Sequence, residues 1–122
     1  MAFTENLASR TYTSGSAIAQ FTFVSLASTG LVNNTAAGLR TDGVAMAAAS
    51  ASGKAIQVAY DGRVTVLVGA AGSVARGDAI AVDAAGKAIT AASTKVIVGY
   101  ALEAGAAGQV ITIELNRGQT PA

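Results

Sequence analysis

Seven carboxylates, three lysines and a surplus of hydroxyls are the groups from which chemistry could be built in this 122-residue chain, which holds no Cys and no His. The carboxylates are Glu5, Asp42, Asp61, Asp78, Asp83, Glu103 and Glu114. Acid–base work of the glycosidase kind needs two of them facing each other across a cleft. Asp42, Asp61, Asp78 and Asp83 instead sit beside Gly or inside turn-like segments. Asp favours such places because its side chain accepts hydrogen bonds from nearby backbone N–H groups. Nucleophilic catalysis lacks its usual base: without His, a Ser or Thr nucleophile would rely on Lys or a carboxylate. Lys54, Lys87 and Lys95 fall in loops or at strand ends, where solvated surface positions are expected. Thiolate chemistry, disulfides and zinc sites of the usual kind are excluded by the missing Cys and His.

Three short motifs fail on context. Gly69-Ala70-Ala71-Gly72 follows a strand-like run, but no Lys-Ser/Thr comes after it and no helix opens there, so it is not a phosphate loop. Arg76-Gly77-Asp78 spells an adhesion tripeptide, yet Gly-Asp before a strand is ordinary turn chemistry. A biotinyl or lipoyl carrier would also carry a Gly-Asp before a strand. Its modified Lys should stand at an exposed hairpin tip, whereas Lys87 comes after the turn at Gly86. The sequence therefore offers no catalytic, metal-binding or cofactor-binding residue.

The elements that would position any site are short and β-rich. Val64–Val68 is β-branched and is closed by Gly69. Ala79–Val82, the turn Asp83-Ala84-Ala85-Gly86 and Lys87–Thr90 form a hairpin. Val96–Leu102 is a longer strand. Val110–Leu115 alternates, with Ile111, Ile113 and Leu115 on one face and Thr112 and Glu114 on the other, as a half-buried strand does. Upstream, Phe21–Leu26 is strand-like, Ile56, Val58 and Tyr60 alternate with Gln57 and Ala59, and Asp61-Gly62 is a turn dipeptide. Val44–Ala51 is Ala-rich and would suit a helix by propensity alone.

Internal similarity decides that segment. Gly43-Val44-Ala45-Met46, then Gly53 to Val58, resembles Gly99-Tyr100-Ala101-Leu102, then Gly108 to Ile113. The offset is about 56 residues, and it also relates Val24-Ser25-Leu26 and Gly30 to Ile80-Ala81-Val82 and Gly86. Val44–Ala47 is therefore expected to be a strand and Ala48–Gly53 a loop. The fold expected is all-β: a small barrel or sandwich built from two similar halves, about 17–62 and 72–117. An extended N-terminal arm, 1–16, precedes it and a loose tail, 118–122, follows.

Composition narrows the classes further. About a quarter of the chain is Ala, and there are 14 Gly and one Pro. Hydrophobic residues make up 52% and charged residues 12%, which opposes disorder. A chain of this size buries roughly two thirds of its unfolded surface. The net charge of +1 offers no basic footprint for nucleic acid. No uninterrupted apolar run reaches membrane-spanning length, and the N-terminus lacks a signal-peptide pattern. The expectation is a protein made in the cytoplasm, with no nucleic-acid or membrane partner.

At Asp42-Gly43-Val44-Ala45, Tyr60-Asp61-Gly62-Arg63-Val64, Arg76-Gly77-Asp78-Ala79-Ile80 with Gly86, and Val98 through Gly108, the chain resembles the capsid decoration (cement) proteins of tailed bacteriophages. The resemblance covers roughly Ala17 to Arg117. It implies a non-enzymatic virion protein on the outer capsid surface, with the major capsid protein as partner and commonly a homotrimer. The arm lies outside the resemblance. Its candidate capsid contacts are Phe3, Leu7, Arg10 and Tyr12. A non-catalytic carbohydrate-binding or adhesion module is the alternative. It would need exposed aromatic rings, and Phe21 or Phe23, Tyr60 and Tyr100 are expected in the core.

Overall fold

The computed structural model describes residues 5–69, 73–92 and 95–121. Among them the regular elements are eleven strands: β1 (Glu5–Ser14), β2 (Phe23–Leu26), β3 (Leu31–Asn34), β4 (Gly43–Ala45), β5 (Ala55–Leu67), β6 (Ser73–Val74), β7 (Ala79–Val82), β8 (Ala88–Thr90), β9 (Val96–Ala101), β10 (Gly105–Ala106) and β11 (Val110–Pro121). Nine of them form one sheet in the order β1-β3-β2-β4-β5-β11-β9-β7-β8, and β6 and β10 pair separately. Because β1 pairs with β5 as well as with β3, the first five strands close into a barrel. Closure removes sheet edges wherever the strands pair, edges that would otherwise invite unwanted pairing.

The second half repeats the first in its hydrogen-bond register. Val24 faces Asn34 and Leu26 faces Val32; Ile80 faces Thr90 and Val82 faces Ala88. Phe23 faces Val44 and Val24 faces Gly43; Ala79 faces Tyr100 and Ile80 faces Gly99. Both β-hairpins turn on a Gly with positive φ, Gly30 at 82° and Gly86 at 78°. Ser14 faces Val32 in parallel, and Val68 faces Ala88 in parallel. The last equivalence makes β1 the counterpart of the C-terminal part of β5. Arg10 opposite Val58 thus corresponds to Val64 opposite Ile113.

The N-terminal segment expected to be an arm is extended, but from Glu5 to Ser14 it is a wall of the barrel, paired with β5 at residues 5 and 8–13. The tail expected to be loose is strand to Pro121, with Thr120 opposite Ile97 and Pro121 opposite Val96. The turn expected at Asp61-Gly62 is a point inside the 13-residue β5. There the strand exchanges partners, from β4 at residues 58–59 to β11 at residues 63–67. Gly62 has a φ of 98°, and β1 pairs there with register shifts, so the Asp-Gly step serves as a bulge that bends a long strand.

Two cores result. Val24, Val32, Ala45, Ile56 and Val58 fill the first barrel with Tyr12 against them. Val64, Val66, Ile80, Val82, Ala88, Val98, Ala101, Ile111, Ile113 and Leu115 fill the second half. Phe23, Val44 and Ala59 point out of the first barrel and belong to the second cluster, so one half packs on the outside of the other. Phe23 is fully buried there, and its N–H donates to the Gly86 carbonyl at 2.7 Å. The equivalent outer face of the second half is uncovered, which is why Tyr100, the counterpart of Val44, is 45% exposed rather than in the core as its sequence suggested. Among the described residues no buried side-chain polar atom lacks a hydrogen-bond partner.

Candidate functional site

Alternation along β1, β2 and β5 places Arg10, Tyr12, Leu26 and Tyr60 on the same side as the core residues Val58, Ile56 and Val24. They lie beyond the packed layer, at one end of the first barrel. With Asp42 they line a pocket of about 290 Å³. Tyr60 is 43% exposed and Leu26 45% exposed at its rim. Tyr60 was expected in the core. Its parity was right, but the barrel is open where it stands.

Asp42 reaches the pocket through a bulge. Its N–H donates to the Val24 carbonyl at 2.9 Å, although Val24 already faces Gly43. A bulged strand turns an extra side chain toward the same face. Behind it a chain of hydroxyls holds the loop before β4. Ser25 Oγ lies 2.8 Å from Thr35 Oγ1, Thr35 Oγ1 donates to Thr41 Oγ1 at 3.1 Å, and Thr41 Oγ1 donates to the Val24 carbonyl at 2.9 Å. Asp42 Oδ2 accepts the Leu26 N–H at 2.7 Å. One carboxylate oxygen is therefore committed to the end of β2. Arg10 makes no hydrogen bond or ion pair with any described residue.

The two halves differ sharply at this pocket. By strand register the counterparts of Arg10, Tyr12, Leu26, Asp42 and Tyr60 are Val64, Val66, Val82, Val98 and Leu115. All five are buried in the second core. One half plugs this end with its own apolar side chains, and the other leaves it open and lines it with a cation, an anion and two phenol rings. A pocket with a few convergent polar groups is where binding is first sought. The arrangement can bind, but it holds no base–nucleophile pair.

Of the residues singled out in the sequence, Arg10 and Tyr12 come together here. Leu7 lies within β1, and Phe3 falls outside the described residues. Leu26, Asp42 and Tyr60 were missed. Their signal was present as polar or aromatic residues facing valine and leucine in the duplicated half. Asp83, Asp78 and Glu103 serve local structure. Asp83 Oδ1 accepts the Ala85 and Lys87 N–H groups, both at 2.8 Å. Asp78 Oδ2 accepts the Ala75 N–H at 2.9 Å and the Thr90 hydroxyl at 3.3 Å, beside Gly77 with φ at 90°. The adhesion-like tripeptide is thus a hydrogen-bonded turn. Glu103 is affected by partial burial, which raises its carboxyl pKa. Hydrogen bonds from the Thr112 backbone N–H and hydroxyl oppose that, and the carboxyl lies below its ordinary value of 4.5. No group of three metal-ligating side chains is found among the described residues.

Residues 8–117 match the family of phage cement proteins. The chain belongs to that family. Membership makes this cement protein a structural, capsid-associated component of the virion, located at the capsid surface. The match begins within β1 and includes its residues 8–14, part of the segment expected to be an arm. Among solved structures the cement protein is similar to the head fiber gp8.5 N base of bacteriophage phi29, with a TM-score of 0.77 and 20% identity over 95% of this chain and 99% of that one. At that identity the likeness shows the fold. No curated protein matches the chain.

Proposed function

We propose that this cement protein attaches to the outside of an assembled phage head as a homotrimer and clamps neighbouring major capsid subunits, without catalysing a reaction. The observation that carries the reading is the family match from residue 8 to residue 117. The physical arrangement supports it. Closed and packed β halves make a stiff scaffold, and low charge limits desolvation where surfaces meet. Many identical copies turn weak contacts into firm attachment, because each later contact forms at high effective concentration. We assign the shell contact to β1 and the open end of the first barrel, with Arg10 and Tyr12 in it and Phe3 and Leu7 on the same N-terminal segment.

Shells of the encoding phage, assembled without this protein, test the reading directly. The purified chain should co-sediment with them to saturation and raise the temperature at which they break. Its mass in solution should be three times that of one chain. A chain that stays in the supernatant at micromolar concentration refutes the attachment.

A further inference from the structure

We propose that the free edge of β1, beside the open end of the first barrel, receives an extended polypeptide segment as an added strand, with an acidic side chain of that segment seated against Arg10. The inference rests on the attachment reading above and names its partner chemistry: the segment belongs to the major capsid protein.

Backbone geometry supplies the first argument. β1 pairs with β5 at residues 5 and 8–13, but meets β3 only at Thr13 and Ser14. The Ser14 N–H donates to the Lys54 carbonyl at 2.8 Å, which sets the phase of the ladder. Residues alternate in the direction of their N–H and C=O groups along an antiparallel strand. Ser14, Tyr12 and Arg10 therefore turn these groups to β5, and Thr13, Thr11 and Ser9 turn theirs away. Gly15 confirms the phase, since its N–H donates to Val32 on β3 at 2.7 Å. Beyond Thr13 no described strand covers that edge. Thr11 presents an N–H and a carbonyl without a partner among the described residues. An exposed strand edge is a template for another strand.

Side chains supply the second argument. A strand added along Ser9–Tyr12 runs beside the pocket of Arg10, Tyr12, Leu26, Asp42 and Tyr60. In strand addition the main chain gives affinity and pockets for alternate side chains give specificity. The second half fills the same place with Val64, Val66, Val82, Val98 and Leu115, so the opening in the first half has the size of side chains that the fold elsewhere supplies itself. Its charges choose the guest. Asp42 is held by the Leu26 N–H, whereas Arg10 is unpaired among the described residues, and a guanidinium matches a carboxylate in a two-pronged hydrogen bond. Leu26 and the two phenol rings favour apolar atoms around that carboxylate.

Peptides of about ten residues, tiling the major capsid protein of the same phage, can be titrated by fluorescence anisotropy against the full chain. One window containing Asp or Glu should bind saturably. Arg10→Ala should weaken it by about tenfold or more, the scale of one charge-assisted hydrogen bond. Changing the peptide's acid to its amide should cost the same factor, with no further loss when both changes are combined. Amide exchange at Ser9 and Thr11, whose N–H groups face the free edge, should slow on binding. Thr11→Pro should abolish binding while the far-UV spectrum and the urea midpoint hold, because that N–H is not used in the β5 ladder. If no window binds while the chain still attaches to shells, the inference fails and the attachment reading stands. If the chain does not attach to shells at all, both fail. Binding of a sugar at this pocket, or self-association of the chain that Thr11→Pro removes, would each overturn the inference.

Discussion

Gly43 and Gly99 occupy equivalent places in the two halves, and replacing either with Ala tests whether the halves are built alike. A Cβ on Gly43 would stand 2.5 Å from the Ala59 carbonyl oxygen and 2.6 Å from Val58 Cγ1. A Cβ on Gly99 would stand 2.5 Å from the Glu114 carbonyl oxygen and 3.2 Å from Ile113 Cδ1. In both cases the obstructing atom is backbone in an adjacent strand, so no rotamer change relieves it and the strands must part. Overpacking that moves backbone costs about 1–3 kcal/mol and sometimes more. We expect about 2–3 kcal/mol for Gly99→Ala and at least as much for Gly43→Ala, where the Val58 methyl adds a second clash. That is a large part of the roughly 5–15 kcal/mol available to a domain. Urea unfolding reads it as a midpoint lowered by about 1–2 M at an unchanged slope. Gly53→Ala is the contrasting case: a Cβ there meets nothing within 4 Å, but its φ is 82°, so only backbone strain of about 1 kcal/mol applies. If Gly43→Ala and Gly99→Ala both leave the unfolding free energy within about 0.5 kcal/mol of the parent, on the order of a neutral surface change, the close strand approach is wrong.

Other consequences follow from the same contacts. Phe23→Ala should cost about 3–5 kcal/mol by opening a cavity between the halves, measured by urea unfolding; a loss under about 1 kcal/mol would mean that the halves do not pack there. Deleting residues 1–14 removes a barrel wall, so the first half should lose its slow-exchanging amides, whereas a free arm would leave them unchanged. The Glu103 carboxyl is held below 4.5 in the folded chain, so its ionised form adds stability that is full above about pH 4.5 and fades as pH falls through the lowered value. The gap in stability between the parent and Glu103→Gln should therefore be larger at pH 7 than at pH 3, and an equal gap at both refutes the lowered carboxyl pKa. Asp83→Ala removes the acceptor of two turn N–H groups and should cost about 1 kcal/mol.

Much of this architecture was legible in the residues. Val110–Leu115 and Val64–Val68 announce themselves because their inward positions are uniformly apolar. The duplication showed where both copies keep the same turn Gly, at Gly30 and Gly86. It was lost at β1 for a physical reason. Ser9–Gly15 corresponds to Arg63–Gly69, but its inward residues are Arg10 and Tyr12 where the copy has Val64 and Val66. The residues that line the opening erased the apolar pattern that marks a strand, and so a wall of the barrel looked like an arm. Tyr60 misled in the complementary way. Its alternation with Ile56 and Val58 is genuine, but alternation fixes the face of a strand and not how far the packing extends along it. The partner exchange along β5 and the pairing of β11 with β9 near Pro121 depend on contacts distant in sequence, which no local pattern carries.

We propose that this capsid-surface protein meets the shell with the open end of its first barrel. Cryo-electron microscopy of shells incubated with the purified protein measures it most directly. The account predicts density on the outer surface, with Arg10, Tyr12 and Tyr60 facing a major capsid subunit. Bare shells, or bound copies whose first-barrel opening faces solvent, would contradict it.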